Sequence, residues 1–414
     1  MICRAEPNAI MLLSATAQLV IPSRYYEAVA RILHPEYGGS EPISAANTAF
    51  LAQLETTGFL PWMKDNREPV DNAMAQSAMV TAPENAYTAP TMLNLELTTR
   101  CPLHCPQCYC DLHRGKDMLL ERAMTVLQQA AEMGVANINL SGGETMVYPH
   151  LYELLEQCRS LGLYAAVALS GYGVNEATLQ KLITSGVSEI YVSLNGSTED
   201  ISRITRDGHD LAMQALTLLA QSGFENTVVN WVAHRSNVGD FANVAAICAQ
   251  LGIKKLVVIG FKPDSSHSLA GAPEEEQVLT LAQEIRRLRK ELPDLTIEVE
   301  SCYSPLRALL GQRFFGNLNV GMSKGCGAGR DGASLDVDGN FTPCRHLDFP
   351  EAFDHLRDYW HTSAVLANLR LVEASPEEPC AGCRYGPYCL TCLAVSAKLQ
   401  GRIAKANSHC FLWK

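Results

Sequence analysis

The sequence predicts an α/β fold: parallel strands with helices packed outside them, set between a short N-terminal unit and a cysteine-rich C-terminal one. Three observations carry this expectation. Strand and helix patterns alternate through six βα-type repeats between residues 91 and 262. Beyond residue 263 the rhythm stops, and glycine, proline and cysteine accumulate. The 414 residues are 47% hydrophobic, enough material for more than one sizeable core.

In residues 1–90, Ala9–Leu13 and Ala17–Ile21 read as short strands, and Arg24–Leu33 and Ile43–Leu54 as helices ending near Gly58. The polar, proline-bearing stretch Lys64–Pro90 reads as a linker. The middle part, 91–262, opens on a strand in which Leu93, Leu95 and Leu97 alternate with Asn94 and Glu96. Ala123, Val126, Leu127, Ala130 and Met133 then recur at helical spacing. Strand Ala136–Leu140, a helix from Tyr148, strand Tyr164–Leu169, helix Asn175–Ile183 and strand Glu189–Leu194 continue the alternation. Helix Leu211–Ser222, strand Thr227–Val232, helix Phe241–Leu251 and strand Lys255–Phe261 complete it. Such a pattern means parallel strands, in a doubly wound sheet or a full or partial barrel, and six strands are too few to close an eight-stranded barrel. The third part, 263–414, has one clear helix, Glu274–Leu292, with a basic outer stretch at Arg286, Arg287, Arg289 and Lys290. Past Ser301 there is little apolar core per residue, as in segments held together by metal.

Charge and targeting narrow the function. Lysine plus arginine is 33 against 44 acidic residues, a net charge of −11, which opposes binding to a nucleic-acid backbone. No apolar run reaches the roughly 18 residues of a membrane span. Met1–Ser14 lacks the basic region and cleavage site of a signal peptide. A cytoplasmic protein with no nucleic-acid or membrane partner is expected. The 15 cysteines are an odd number for a closed disulfide framework, and in a reducing compartment clustered thiols more often ligate metal.

Three of them form Cys101-Pro-Leu-His-Cys105-Pro-Gln-Cys108, directly after the first strand of the alternating part. In parallel α/β folds the ligand site lies at such strand ends. Three thiolates hold three irons of a [4Fe–4S] cluster and leave the fourth open for chemistry; the alternative is a three-cysteine zinc site completed by His104 or His113. Ser141-Gly142-Gly143-Glu144 ends the second strand, where glycines let the backbone approach a ligand. The spacing C-x3-C-x2-C followed by the aromatic Tyr109, with Gly-Gly-Glu one strand later, resembles the radical SAM superfamily over roughly residues 92–262. The resemblance implies a partial (βα)6 TIM-like barrel. It implies a SAM-binding [4Fe–4S] cluster on Cys101, Cys105 and Cys108, and a cofactor site formed by Tyr109, Gly142, Gly143, Glu144, Ser193 and Arg206. In that role Glu144 and nearby carbonyls accept hydrogen bonds from the methionyl ammonium, and Arg206 pairs the carboxylate.

The C-terminal cysteines, Cys326, Cys344, Cys380-x2-Cys383-x5-Cys389-x2-Cys392 and Cys410, resemble the SPASM extension of radical SAM enzymes. That resemblance implies two auxiliary [4Fe–4S] clusters and so a C-terminal Fe–S domain. One would use Cys326, Cys344 and Cys392, with Cys302 as candidate fourth ligand; the other Cys380, Cys383, Cys389 and Cys410. The usual spacer before the fourth cysteine of the central group is three residues, whereas Leu390 and Thr391 are two. Two zinc knuckles are the alternative for this segment. Cys3, Cys110, Cys158 and Cys248 stay unassigned, with Cys158 expected in a core.

SPASM enzymes mostly modify peptides or proteins. The resemblance implies a maturase that cross-links a ribosomally made precursor peptide, through a carbon–carbon (cyclophane) or thioether bond. A flavodoxin- or ferredoxin-type reductant would serve it. Residues 1–90 resemble a winged-helix-like element that grips a leader peptide, one strand short, or form a plain cap. The alternatives are a sulfatase-maturase-like oxidase of a folded protein, an enzyme acting on a small molecule, and a non-enzymatic zinc or Fe–S protein. Sulfatase-maturing relatives carry an aspartate base where this chain has Arg345, with Asp348 three residues on, which argues against that chemistry. The expected division is 1–90, 91–262 and 263–414.

Overall fold

The N-terminal strands are short and strongly apolar, and they pair at once with their neighbours in the chain. In the computed structural model β1 (Ile2–Glu6), β2 (Ala9–Leu13) and β3 (Gln18–Pro22) form an antiparallel sheet in that order. The structure describes residues 1–15, 17–37, 45–56, 58–108, 115–263, 268–311, 326–386, 389, 391–407 and 410–412. All of β2 is buried because each face of the sheet has its own core. Ile10 and Leu12 pack with helices Tyr26–Leu33, Ala45–Thr56, Phe59–Asp65 and Arg67–Gln76. Met11 and Leu13 pack with Tyr87 and Ala136, at the base of the larger sheet.

Two expectations are corrected here. Strand β1 supplies the third strand that the sequence reading lacked. It was hidden because Arg4 and Glu6 look like surface residues, yet both are buried and paired, Nη2 to Oε1 2.8 Å. The stretch from Lys64 is no linker at its start, since Arg67–Gln76 is helical. Val70, Ala73 and Met74 recur at helical spacing and pack inward. Pro69 lies in the first turn, where its missing N–H breaks no helical bond.

The larger sheet contains β4 (Met92–Thr98), β5 (Asn137–Gly142), β6 (Tyr164–Leu169), β7 (Glu189–Ser193), β8 (Thr227–Val232), β9 (Lys255–Ile259), β10 (Thr296–Val299), β11 (Gly332–Leu335) and β12 (Phe341–Thr342). Their spatial order is β10-β9-β8-β7-β6-β5-β4-β11-β12. Pairing is parallel from β10 through β11, and β12 closes that end as an antiparallel hairpin partner. From β4 to β10 each strand lies beside the next in sequence, the order of a barrel wall; a doubly wound sheet reverses partway. The wall stays open among the described residues, with β10 and β12 at its edges.

The six expected parallel strands are therefore continued by a seventh, β10. Thr296, Ile297, Glu298 and Val299 alternate exposed and buried, a pattern of only four residues. On the outer face, Ile138, Leu140, Val167, Ile190 and Val229 pack in one core with the surrounding helices. The inner face is polar: Asn94, Asn139, Tyr191 and Asn230 line the lumen, and Asn139 Nδ2 donates to Asn94 Oδ1 at 3.0 Å.

The C-terminal chain returns to this wall. Besides adding β11 to the free edge of β4, it is held by Arg122, which donates to the carbonyls of Gly339 (3.0 Å), Phe353 (2.6 Å) and Asp354 (2.9 Å). Trp360 donates from Nε1 to the Tyr87 carbonyl at 2.8 Å, joining the C-terminal helix Leu356–Thr362 to the segment below the N-terminal sheet. Among the described residues no helix is long and apolar enough to cross a membrane.

Candidate active site

Strand β4 ends at Thr98, and the chain leaves the sheet to carry Cys101, Cys105 and Cys108. The two ends of this excursion are stitched together. Thr99 N–H donates to the Lys116 carbonyl (2.8 Å), and Lys116 N–H returns to Thr99 Oγ1 (2.8 Å). Arg100 pairs Asp117 through Nε (2.9 Å) and Nη2 (2.6 Å). Sequence reasoning passed over Arg100 and Asp117; only their position flanking the triplet could have drawn attention to them. One flank of the loop is tied to the end of β5, with Gly143 N–H on Thr98 O (2.7 Å) and Glu144 N–H on Arg100 O (2.9 Å). The other flank meets the turn after β7, with Gln107 N–H on Thr205 O (3.2 Å) and His104 N–H on Asp207 Oδ2 (3.1 Å).

The two glycines are there for the protein's own backbone. Gly142 has φ +143°, open to glycine alone, and a Cβ would run into the Thr98 carbonyl. A Cβ on Gly143 would meet the Arg100 carbonyl and Cys101 Cβ. The same two glycines also line the lumen beside the three thiols, on the side where the resemblance implies SAM. Gly143→Ala should displace the cysteine loop at a cost of about 1–3 kcal/mol, the usual price of overpacking, read as a lowered thermal midpoint.

Glu144 follows them and is held by its own contacts. Its carboxylate is buried and engaged on both oxygens: Oε1 accepts from Met146 N–H (3.0 Å), and Oε2 from Ser170 N–H (2.9 Å) and the Ser170 hydroxyl. Burial raises its pKa, and these donors oppose the rise. It ties the glycine turn to the end of β6, while Gly142 and Gly143 face the lumen. Glu144→Gln leaves Oε2 without its charge and adds a buried amide with no acceptor in place. The expected result is a lower thermal midpoint, with no gain in activity at any pH.

Ser193 and Arg206 line the same cavity as the three thiols. Arg206 Nε and Gln107 Oε1 are buried with no hydrogen-bond partner among the described residues. Burial raises the pKa of the Cys101 thiol, and the Leu103 backbone and the Arg206 charge oppose the rise. The turn holding Arg206 is organised by Asn195, a residue sequence reasoning missed. Its Nδ2 donates to Thr205 Oγ1 (3.0 Å), its Oδ1 accepts from Val232 N–H (3.1 Å), and its carbonyl accepts from Asn237 (2.9 Å). Tyr109, Cys110 and His113 lie outside the described residues; His104 is exposed.

The cavity holds about 820 Å³ and runs through the lumen from the triplet to Cys302, Cys326 and Cys344. A second cavity, of about 940 Å³, is lined by Cys380, Cys383, Cys389, Cys392 and Cys410, and Cys302 borders both. Cys302 stands in hydrogen-bonding range of the Cys326 and Cys392 thiols; they hold it well below the usual thiol pKa and are themselves raised. Cys344 lies close enough to feel the Cys302 charge, and burial pushes it up to about 11. Cys410 shares the field of Cys380, Cys383 and Cys389. Thr391 Oγ1 lies 3.7 Å from Cys380 Sγ and 4.0 Å from Cys389 Sγ. Two sets of four thiols therefore form, and the short spacer still delivers Cys392 to Cys302.

Among the described residues no group of three His, Cys, Asp or Glu side chains is arranged around a single metal ion. A [4Fe–4S] cluster binds each thiolate on a different iron, so its donors need not converge on one point. Eight thiols in two sets among the described residues fit that group in chemistry. Arg345, next to Cys344, donates from Nε to Glu96 Oε1 on β4 at 3.1 Å. Cys158 and Cys248 are buried among apolar neighbours far from either set, and burial pushes both thiols up to about 12.

Residues 95–248, which run from β4 through the helix before β9, match the family model described as the radical SAM superfamily. This chain carries a radical SAM domain. The protein is an enzyme, and the matched residues include the triplet, the glycine turn, Ser193 and Arg206. A protein named PqqA peptide cyclase from Ruegeria pomeroyi is 29% identical over 322 residues, covering 73% of this chain and 82% of the relative. SuiB of Streptococcus suis superposes with a TM-score of 0.71 at 17% identity, over 99% of this chain and 98% of that one. SuiB bound to its precursor peptide SuiA gives 0.69 at 15%, over 99% and 100%. Native anSMEcpe with bound AdoMet gives 0.60 at 18%, over 78% and 94%. These solved structures share the fold, and the radical SAM domain here is framed by the N-terminal sheet and the thiol-rich C-terminal part.

Proposed function

We propose that this enzyme is a peptide maturase that cross-links a ribosomally made precursor through a carbon–carbon or thioether bond. The observation that carries the reading is the single lumen joining the triplet thiols to the set around Cys302. A residue of a bound peptide placed there lies between a site of radical formation and a site of electron acceptance, as an oxidative cross-link requires. The names of the relatives, a peptide cyclase and an enzyme solved with its precursor, agree with it.

Cys101, Cys105 and Cys108 would hold one [4Fe–4S] cluster; Cys302, Cys326, Cys344 and Cys392 a second; and Cys380, Cys383, Cys389 and Cys410 a third. With SAM bound, the first cluster would supply radical chemistry able to take a hydrogen atom from substrate. The protein's own part is to fix geometry and exclude water. Gly142 and Gly143 seat the loop, and Arg206 Nε with Gln107 Oε1 would offer a donor and an acceptor to the polar ends of SAM. Ser193 would lie near its ribose. Arg345, paired with Glu96, puts a cation where sulfatase-maturing relatives carry a base, which favours cross-linking over that oxidation.

The three-stranded sheet suits leader binding by strand addition. The outer side of β1 is taken, since Thr88 bonds the Ala5 carbonyl (3.4 Å) and the Glu6 carboxylate. That leaves β3 as the edge on offer. Added precursor should slow amide exchange in Gln18–Pro22, measured by hydrogen–deuterium exchange. A flavodoxin- or ferredoxin-type protein of the cytoplasm would supply electrons.

The deciding experiment is to search beside this gene for a small open reading frame, co-express its peptide with the enzyme, and analyse the peptide by mass spectrometry. Loss of two hydrogens located to a new bond supports the reading. An unmodified peptide from enzyme that still cleaves SAM excludes that peptide as substrate. Anaerobic reconstitution should load about 12 irons per chain, for three four-iron clusters.

A further inference from the structure

We propose that Lys262 and Glu300 form a charge pair that sets the reduction potential of the group held by Cys302, Cys326, Cys344 and Cys392. The inference rests on the assignment of those thiols to a cluster, made above. Lys262 follows β9 and Glu300 follows β10, adjacent parallel strands. Lys262 Nζ lies 2.8 Å from each carboxylate oxygen of Glu300. The pair is held from both sides: Glu300 N–H donates to the Val258 carbonyl (2.9 Å), and Lys398 Nζ donates to the Pro263 carbonyl (2.8 Å).

Position gives the pair its role. Lys262 and Cys302 both border the lumen and the second cavity, so they belong to the wall between them. Only Ser301 separates Glu300 from Cys302, and the Tyr303 N–H closes a turn onto the Glu300 carbonyl (3.0 Å). The Lys262 side chain is 11% exposed, so water screens its charge little. Two other charge groups stand beside this thiol set, Arg345 with Glu96 next to Cys344 and Glu373 with Arg330 and Lys405 next to Cys326, and both combine opposite charges. One-electron reduction adds negative charge at the thiol set. A cation in the wall favours the reduced form and raises the potential. Glu300 fixes where that cation stands and offsets part of its effect.

A device of this kind predicts opposite shifts from the two members. Lys262→Met removes the cation and leaves the carboxylate, so the potential falls. Glu300→Gln removes the anion and leaves the cation, so the potential rises. Lys262→Arg keeps the charge and stays near the parent value. The test is an anaerobic redox titration followed by electron paramagnetic resonance. It uses the full chain with Cys101, Cys105 and Cys108 changed to alanine, so that only the C-terminal sets contribute signal. The expected displacement changes the reduced-to-oxidised ratio at fixed potential at least tenfold, about 59 mV for one electron. The signal from the Cys380 set serves as internal reference and moves less, because Lys262 stands closest to Cys302 and Cys392.

Iron analysis of the same samples separates the two ideas. A parent protein that loads no C-terminal iron overturns the cluster assignment and the inference with it. Clusters that load normally but titrate at the parent potential in both Lys262→Met and Glu300→Gln overturn the inference alone. Shifts of one sign in both variants do the same, because they mark a structural disturbance. Should Lys262→Met fail to fold, the upward shift in Glu300→Gln decides.

Discussion

Cys105→Ala is expected to lower reductive cleavage of SAM to background, measured as 5′-deoxyadenosine formed under dithionite, and to remove about four irons per chain. Cys105 is the middle donor of a loop that has little freedom to substitute another. Its carbonyl accepts from Cys108 N–H at 3.1 Å, which sets the third thiol relative to the second. Gly143 and Glu144 hold one flank of the loop, and Thr205 and Asp207 the other. His104, beside it, is exposed and bound through its backbone to Asp207, so it does not replace the lost thiolate. The Cys302 set lies across the lumen and the Cys380 set in the second cavity, and both should keep their iron. Iron lost from all three sites would show that the triplet supports the whole fold, and undiminished cleavage would remove it from the chemistry.

The second large effect is on stability. Arg4→Met should cost about 3–5 kcal/mol, because it breaks a buried pair and strands its partner. Arg4 is 9% exposed and Glu6 3%. The guanidinium meets Glu6 Oε1 through Nε (2.9 Å) and Nη2 (2.8 Å). It also donates to the carbonyls of Ala89 (2.9 Å), Pro90 (3.1 Å) and Gly134 (3.1 Å), which lie before β4 and before β5. One side chain thus fastens the N-terminal sheet to the base of the barrel wall. Its removal leaves the Glu6 carboxylate with only Thr88 as donor, far from water. Chemical denaturation should show the loss, and in Arg4→Met/Glu6→Leu the cost should shrink, since no unpaired charge remains. A double variant as unstable as the single one would place the cost in packing instead.

Much of this was legible along the chain. Residues that act through their near neighbours leave a periodic trace. The six strands Met92–Thr98 to Lys255–Ile259 and their helices announced themselves by alternation and by 3.6-residue spacing. The triplet spacing and the glycine turn were equally plain, because a metal loop and a tight turn are written in adjacent residues. What escaped was short or disguised. Thr296–Val299 is four residues long, and Ile2–Glu6 carries two charges that only burial as a pair explains. Arg67–Gln76 has a polar surface around three inward residues.

By itself, then, the sequence determined the class of fold, the strand end that carries the chemistry, and the thiols available for it. The tertiary structure brings together thiols that lie far apart along the chain. Cys302 meets Cys326 and Cys392 because β10 ends beside the segment returning along β4, a meeting of residues dozens of positions apart. It also decided that Gly142 and Gly143 make room for Thr98 and Arg100, that Glu144 braces the turn, and that Lys262 faces Glu300. Spacing encodes contacts within a turn or a loop. Contacts between strand ends depend on the order in which the strands lie side by side, and that order exists only once the sheet has formed.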